Sequence, residues 1–559
     1  MSDLAADLRV IIEAERVRFE VPGCAVLAVA DGQTVLCEGF GSRDVERDLP
    51  VTPRTLFPIA SSTKTFTAAL CAVLVDEGRL AWDQPVRKYL TDFAMADPVA
   101  TEQLTVFDML CHRSGLPRHD LLWYAADGHA ERKDLVRALR HLQPNRGFRE
   151  TWQYNNLMYT TAGELAGHLL DTTYESALRQ RVLDPLGMKR TNFSVDETQA
   201  DADAATPYVA EDPTQPLHPV PFARLDLVGP AGALNSCLAD LEPWLLTLLG
   251  RGVSGRPLLS EGVLAVLRSP ATPLPAGSQL TLGTPVGYGL GLVVEDYRGC
   301  RVTHHGGNID GFSSQVSFMF AESCGVVVLC NRDGTGLRDA LPALVYDRVL
   351  GLPPRAHGES MLARERAIHT GRAQSRERTT MLSSGMPAVR HHADYAGTYS
   401  HPGYGEILVT ETTNGLQVSY RALNGPLVHQ HLDVFTLMVE LGGVSTPLPV
   451  QFVHGFDGEV SAAVVALEQE VDPVRFERVP DDTHLTTSLL DSLTGTYRLG
   501  PLTTVVERRG GTGLVATVVE GSARELRLLH DLVFSMDGKR IEFTDDGRLL
   551  TPAGEFTRG

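Results

Sequence analysis

What this chain can fold into is limited most by where its strand-like runs fall. Cys24 to Ala30 and Gln33 to Gly39 are apolar, and Asp31-Gly32 between them supplies the positive φ angles of a tight type I′ turn. The chain thus opens on an antiparallel hairpin, behind a helix over Leu4 to about Phe19 that carries Leu8, Ile11 and Ile12 on one face. From Ser61 to about Leu249 the periodicity is mainly helical. Short strand runs return at Gly287 to Val294, Arg301 to His304, Ser313 to Phe320 and Val326 to Cys330, before a closing helix over Asp339 to Leu350. Strands at both ends with helices inserted between them predict one α+β unit over residues 1–355, its sheet completed by distant parts of the chain.

Residues 356–390 interrupt this pattern. They are rich in Arg, Ser, Glu and Gly with little apolar periodicity, which predicts a linker with one helix near Ser360 to Ile368. Beyond it the sequence alternates as strands do, and it repeats. Tyr395-Ala396-Gly397-Thr398-Tyr399 returns as Leu493-Thr494-Gly495-Thr496-Tyr497, and Phe476-Glu477-Arg478 returns as Phe556-Thr557-Arg558. Two copies of short alternating strands predict two small antiparallel β-barrels, at 391–480 and 487–559.

Composition narrows the class of function. A formal net charge of -19, scattered along 559 residues, argues against nucleic acid and against an anionic membrane surface as partners. No apolar run reaches the length needed to span a membrane, and the chain opens on an amphipathic helix rather than a basic-then-apolar leader, so a cytoplasmic location is expected. Eight cysteines, among them Cys24, Cys71, Cys111 and Cys330 in apolar segments, read as buried thiols. Neither His304-His305 nor His391-His392 has the spaced partners of a metal site; no metal and no cofactor are expected.

The chemistry concentrates at Phe57-Pro58-Ile59-Ala60-Ser61-Ser62-Thr63-Lys64. A serine three residues before a lysine, where a loop turns into a helix, puts hydroxyl and amine on one face of the first turn. A serine hydroxyl is a weak nucleophile until a base takes its proton, and a lysine becomes that base once burial or a nearby cation lowers its pKa. Arginine could not serve. The chain has only five lysines among 50 basic residues, and one of them stands here, inside an apolar helix. The plain alternative is that Ser61 caps the helix and Lys64 is solvated.

Two later motifs stand with this pair. Trp152-Gln153-Tyr154-Asn155-Asn156 lies just before a helix, and Thr303-His304-His305-Gly306-Gly307-Asn308 lies between strands. In this order Ser61-x-x-Lys64, Tyr154-x-Asn156 and His305-x-Gly307 resemble the class C β-lactamase and penicillin-binding-protein family of serine hydrolases, over about residues 20 to 350. The resemblance implies that Tyr154, with a pKa lowered beside Lys64, relays the serine proton to the leaving group, and that Asn156 holds Lys64 and a substrate carbonyl. It implies that Gly306 and Gly307 let substrate lie against the strand edge, where the backbone N–H groups of Asn308 and Ser61 form an oxyanion hole. Those enzymes usually carry lysine where this chain has His305, so a fixed cation for a β-lactam carboxylate is missing unless His305 is protonated or an arginine stands in. The histidine form is similar to the D-aminopeptidase and esterase branch, some of whose members carry C-terminal lipocalin-like barrels.

The expected activity is acyl-enzyme hydrolysis of a small amide or ester, foremost a short peptide with a D-residue. Rivals are a carboxylesterase or lactonase, a penicillin-binding-type thioesterase or peptide cyclase, and, outside enzymes, a β-lactam-binding sensor. Trp123, Tyr124, Tyr208 and Phe222, in the loops between motifs, are candidate pocket linings. The barrels would rim the cleft through Asn424 to His431 or Gly510 to Gly513, or join copies into a homo-oligomer.

Overall fold

The computed structural model describes residues 2–559 except 125–129, 211–214, 253–255, 276–277, 279–281, 381–384, 442–443, 457, 481–484, 510–512, 519–520, 531, 538 and 545. It divides near residue 377 into two compact units.

In the first unit, helix α1 (Ser2–Arg18) precedes strands β1 (Gly23–Ala30), β2 (Gln33–Asp44) and β3 (Leu49–Pro50). Helix α2 (Thr63–Asp76), helix α3 (Asn156–Leu169) and helix α4 (Leu238–Leu248) belong to the inserted helical part. Strands β4 (Thr284–Tyr288), β5 (Val293–Tyr297), β6 (Cys300–Ile309), β7 (Phe312–Met319) and β8 (Cys324–Cys330) follow, then helix α5 (Leu337–Val349). The eight strands form one antiparallel sheet in the order β3-β2-β1-β8-β7-β6-β5-β4. The early hairpin is therefore closed by the end of the domain, with Cys24 opposite Cys330 and Val26 opposite Val328. Both faces of β1 and β8 are buried, which explains why they read as continuous apolar runs rather than alternating ones. Leu8 and Ile12 of α1, with Phe19 just past its end, pack with Leu341, Val345 and Tyr346 of α5 on one face.

The expected linker is mostly helix. Helix α6 (His357–Thr380) contains the helix expected near Ser360 to Ile368 and runs beyond it at both ends; it is polar nearly all round, so no apolar stripe marks its full length. It is tied down by ions instead: His357 Nε2 lies 2.9 Å from Asp347 Oδ2, and the buried Glu365 pairs with Arg332 at 2.9 Å and accepts Gly336 N–H at 2.7 Å.

The second unit holds two closed eight-stranded antiparallel barrels, running from Gly397–His401 to Val474–Val479 and from Gly495–Leu499 to Gly554–Arg558. The internal repeat is the way each barrel is started and locked. Tyr399 and Tyr497 donate their hydroxyls to the carbonyls of Tyr395 and Leu493, at 2.8 Å in both copies. Gly397 and Gly495 take φ of 144° and 148°, which a side chain would strain. Arg478 and Arg558, on the last strands, reach back to the carbonyls of Ala396 and Thr494. Asn424 to His431, expected to rim the cleft, is no loop but lies in the strand Leu423–His431; residues 510–512 lie outside the described residues. No described helix is long and apolar enough to cross a membrane.

Candidate active site

Ser61 sits on a single 3-10 turn (Ala60–Ser62) that leads into α2 and is pinned to the sheet. Ser62 Oγ donates to His305 O at 3.0 Å, Ser314 Oγ donates to Ile59 O at 2.7 Å, and Ile59 N–H donates to Leu234 O at 2.9 Å. These bonds hold Ala60 at φ 45°, a left-handed conformation that costs a residue with a Cβ about 1–2 kcal/mol. The capping alternative fails, because the N-cap of α2 is Ser62 and no side-chain cap bond is made there. Gly307 explains how the turn comes so close: a Cβ there would stand 2.1 Å from Ile59 O and 2.5 Å from Ser314 Oγ. This glycine thus receives the Ser61 turn rather than the substrate. Gly306 faces the other way, with the Arg338 guanidinium carbon 3.6 Å from where its Cβ would be.

One helical turn on, the Lys64 side chain is completely buried. Its Nζ lies 3.1 Å from Ser61 Oγ, 2.7 Å from Asn156 Oδ1 and 2.8 Å from Ala231 O, over the rings of Tyr154 (4.7 Å to the centroid) and Tyr159 (5.4 Å). Burial, reinforced by the nearby Arg118 cation, holds the amine well below an ordinary lysine, against the weaker pull of Asp120.

The Tyr154 hydroxyl is hydrogen-bonded to Ser61. Its pKa is not lowered, as the resemblance implied, but pushed up to about 12, because burial outweighs that hydrogen bond and the charges of Arg118 and Arg338. Asn156 presents its oxygen to Lys64 and gives Nδ2 to Asp120 at 2.8 Å.

His305 is buried too, and its pKa lies well below that of free histidine, first through burial and then through Lys64. Nδ1 lies 2.7 Å from Gly306 O and Nε2 lies 2.9 Å from the Tyr288 hydroxyl. With a carbonyl beside Nδ1, the neutral ring donates there and accepts from Tyr288. The protonated alternative, a stand-in for the missing lysine, has the desolvation cost against it. Asn308 turns its side chain to Asp333 (2.6 Å), Ser313 (2.8 Å) and Gly334 N–H (2.8 Å). Strand β5 pairs with β6 only from Cys300 to His304, so the edge from His305 to Ile309 has no strand partner on that side among the described residues.

The four pocket candidates part company. Trp123 donates Nε1 to Asp120 at 2.9 Å, and the Tyr124 hydroxyl reaches Asp310 across the end of β6. Phe222 lines a narrow apolar crevice beside the Ser61 turn with Pro58, Phe193, Ile309 and Phe312. Tyr208 is spent on packing, buried with its hydroxyl accepting Val45 N–H at 2.8 Å.

Reading the motifs missed Asp120 and Arg118, and also Tyr159, Tyr288 and the Ala231 carbonyl. The buried His112 ring lies tilted against those of Tyr154 and Tyr288, with centroids 4.5 Å and 4.9 Å away, and forms part of the wall around the amine.

A buried lysine thus lies against a serine on a helix-start turn that faces an open strand edge, in a domain with the β-lactamase-like fold. The chain belongs to the Beta-lactamase family, whose model matches residues 11–350; a domain of unknown function, DUF3471, matches residues 385–478. It is 29% identical to an unguisins hydrolase of Aspergillus campestris over 89% of this chain and 96% of that protein. A second unguisins hydrolase, of Aspergillus violaceofuscus, is 30% identical over 78% and 83%. Among solved structures, an octameric penicillin-binding protein homologue from Pyrococcus abyssi shares the fold over 84% of this chain and 99% of that one, with TM-score 0.57 and 23% identity. A D-amino acid amidase from Ochrobactrum anthropi matches 62% of this chain and 98% of its own, with TM-score 0.52 and 24% identity.

Proposed function

We propose that Ser61 is the nucleophile of an acyl-enzyme hydrolase acting on small amides or esters, foremost short peptides with a D-residue. The observation that carries this is Lys64: a dehydrated amine 3.1 Å from Ser61 Oγ, with its pKa lowered by burial. Lys64 takes the Ser61 proton as Oγ attacks the substrate carbonyl. The oxyanion forms at the backbone N–H groups of Ser61 and Asn308, on the open edge of β6. Tyr154 passes a proton to the leaving nitrogen or oxygen, and a water then attacks the ester by the reverse relay. The neutral His305 supports a substrate without a carboxylate at that position, unlike a β-lactam. Two relatives named unguisins hydrolases and a structural neighbour named D-amino acid amidase support hydrolysis of an amide. The eight free cysteines suit a cytoplasmic enzyme, and the octameric homologue supports a homo-oligomer.

The test is labelling by a fluorophosphonate probe, read by intact-protein mass, followed by turnover of p-nitrophenyl acetate and of D- and L-alanine p-nitroanilide. Labelling at Ser61, turnover lost in Ser61→Ala, and preference for the D-anilide are expected. A probe adduct on another serine, or an active Ser61→Ala, sinks the proposal.

A further inference from the structure

A neutral amine can act as a base on Ser61 only if its lone pair, rather than one of its N–H bonds, points there. The surroundings of Lys64 decide this. Of the three groups around Nζ, the Ala231 carbonyl can only accept, and it takes one N–H. A second N–H must go to Asn156, which requires the Asn156 amide to present oxygen. An amide is nearly symmetrical in shape: turned over, it would offer Nδ2 to the lysine, bind the lone pair and leave Ser61 without a base.

The geometry points to Asp120 as the positioning residue that sets this polarity. Its carboxylate can only accept, and Oδ1 stands 2.8 Å from Asn156 Nδ2. The amide oxygen is therefore forced toward Lys64, at 2.7 Å. Asp120 is in turn held by Trp123 Nε1 at 2.9 Å on Oδ1 and by Arg118 Nε at 2.7 Å on Oδ2. The chain of bonds has one direction: Asn156 donates to Asp120, Lys64 donates to Asn156 and Ala231, and the remaining lone pair faces the Ser61 hydroxyl. Arg118 serves a second purpose, since its guanidinium lies 5.0 Å from the centroid of the Tyr154 ring. One carboxylate thus orders both arms of the proton relay without touching the reacting atoms.

The charges of the pair also oppose each other at Lys64, where Arg118 lowers the pKa and Asp120 raises it. Lys64 is faced by Tyr154, Asn156 and Tyr159 from the Tyr154 loop and α3, by His112, Arg118 and Asp120 from the segment before Leu121, and by His305 from β6. Burial disfavours the charged forms of His112 and His305.

This inference rests on the proposed role of Ser61 and Lys64, and the experiment separates the two. Asp120→Asn and Arg118→Gln are made in the full chain beside Ser61→Ala, and kcat/KM for p-nitrophenyl acetate is followed against pH, with near-UV circular dichroism to verify folding. Asp120→Asn puts an amide where an acceptor-only group stood, so Asn156 loses its fixed orientation. A fall of about ten- to hundredfold in kcat is expected, the scale of one charge-assisted hydrogen bond. Its acidic limb moves to lower pH, because a negative charge near the amine is gone. Arg118→Gln keeps the carboxylate, loses less activity, and moves the limb to higher pH. If Ser61→Ala is dead while Asp120→Asn keeps wild-type kcat, or loses activity with an unmoved limb, Asp120 is structural packing and the inference is wrong. Should Asp120→Asn fail to fold, the limb of Arg118→Gln decides: a limb that stays put or moves down overturns it equally. An active Ser61→Ala would instead remove the function on which it rests.

Discussion

Gly307→Ala tests how the nucleophile is held. The added methyl would stand 2.1 Å from the Ile59 carbonyl oxygen and 2.5 Å from Ser314 Oγ. A carbon and a carbonyl oxygen in contact settle at roughly 3.3 Å, so the backbone two residues before Ser61 must retreat by about 1 Å. Neither obstacle is a flexible tip: Ile59 O is backbone, and Ser314 Oγ is bonded to it. A displacement of about 1 Å at a reacting group costs on the order of a hundredfold in rate. Forcing a methyl into a packed site costs about 1–3 kcal/mol of stability. The assay is the rate of fluorophosphonate labelling at Ser61 together with the burst of p-nitrophenol from an ester, on protein whose melting is recorded. Gly306→Ala, one residue away in the same strand, is the control. Its methyl would meet Gln315 Oε1 and Ser314 O at 3.4 Å and the Arg338 guanidinium carbon at 3.6 Å, so both rate and melting should stay near wild type. If Gly307→Ala acylates as fast as wild type and melts at the same temperature, the Ser61 turn does not depend on close approach to β6.

Tyr154→Phe should slow acylation by about two to four orders of magnitude, the scale of one acid-base group, in stopped-flow measurements with an anilide. Lys64→Arg should be nearly inactive, since a guanidinium cannot take a proton; turnover near wild type would reduce Lys64 to a structural role. For pH, kcat/KM should rise as Lys64 loses its proton, at a pH far below the value of free lysine. Because burial holds His305 below its usual range, no inflection at roughly 6 to 7 should belong to it, and His305→Asn should leave that region of the profile unchanged. A fragment ending at Thr380 should melt higher than one ending at Arg355. The shorter fragment strips Glu365 from Arg332 and Gly336, and His357 from Asp347, each such partner being worth about 1–3 kcal/mol. Equal melting of the two fragments in calorimetry would make α6 a passive connector.

Much of this architecture is local and was therefore legible along the chain. The Asp31-Gly32 turn, the apolar runs of β1 and β8 and the helix after Ser61 follow from dihedral preference and periodicity, and the paired Gly-Thr-Tyr segments mark the two barrels. Ser61, Lys64, Tyr154 and Asn156 could be named because their spacing follows a known pattern. Helix α6 was legible only near Ser360 to Ile368, since ion pairs with partners on other elements hold it rather than an apolar stripe of its own. Nor could spacing reveal Asp120, Ala231 or Tyr288, which lie 56, 167 and 224 positions from Lys64 and meet or border its box only in the fold. The directions in which these groups' pKa values move come from the tertiary structure alone. Lys64 and His305 are lowered and Tyr154 is raised for one reason: packing removes the water that would stabilise their charged forms, and which side chains lose that water is a property of the assembled domain.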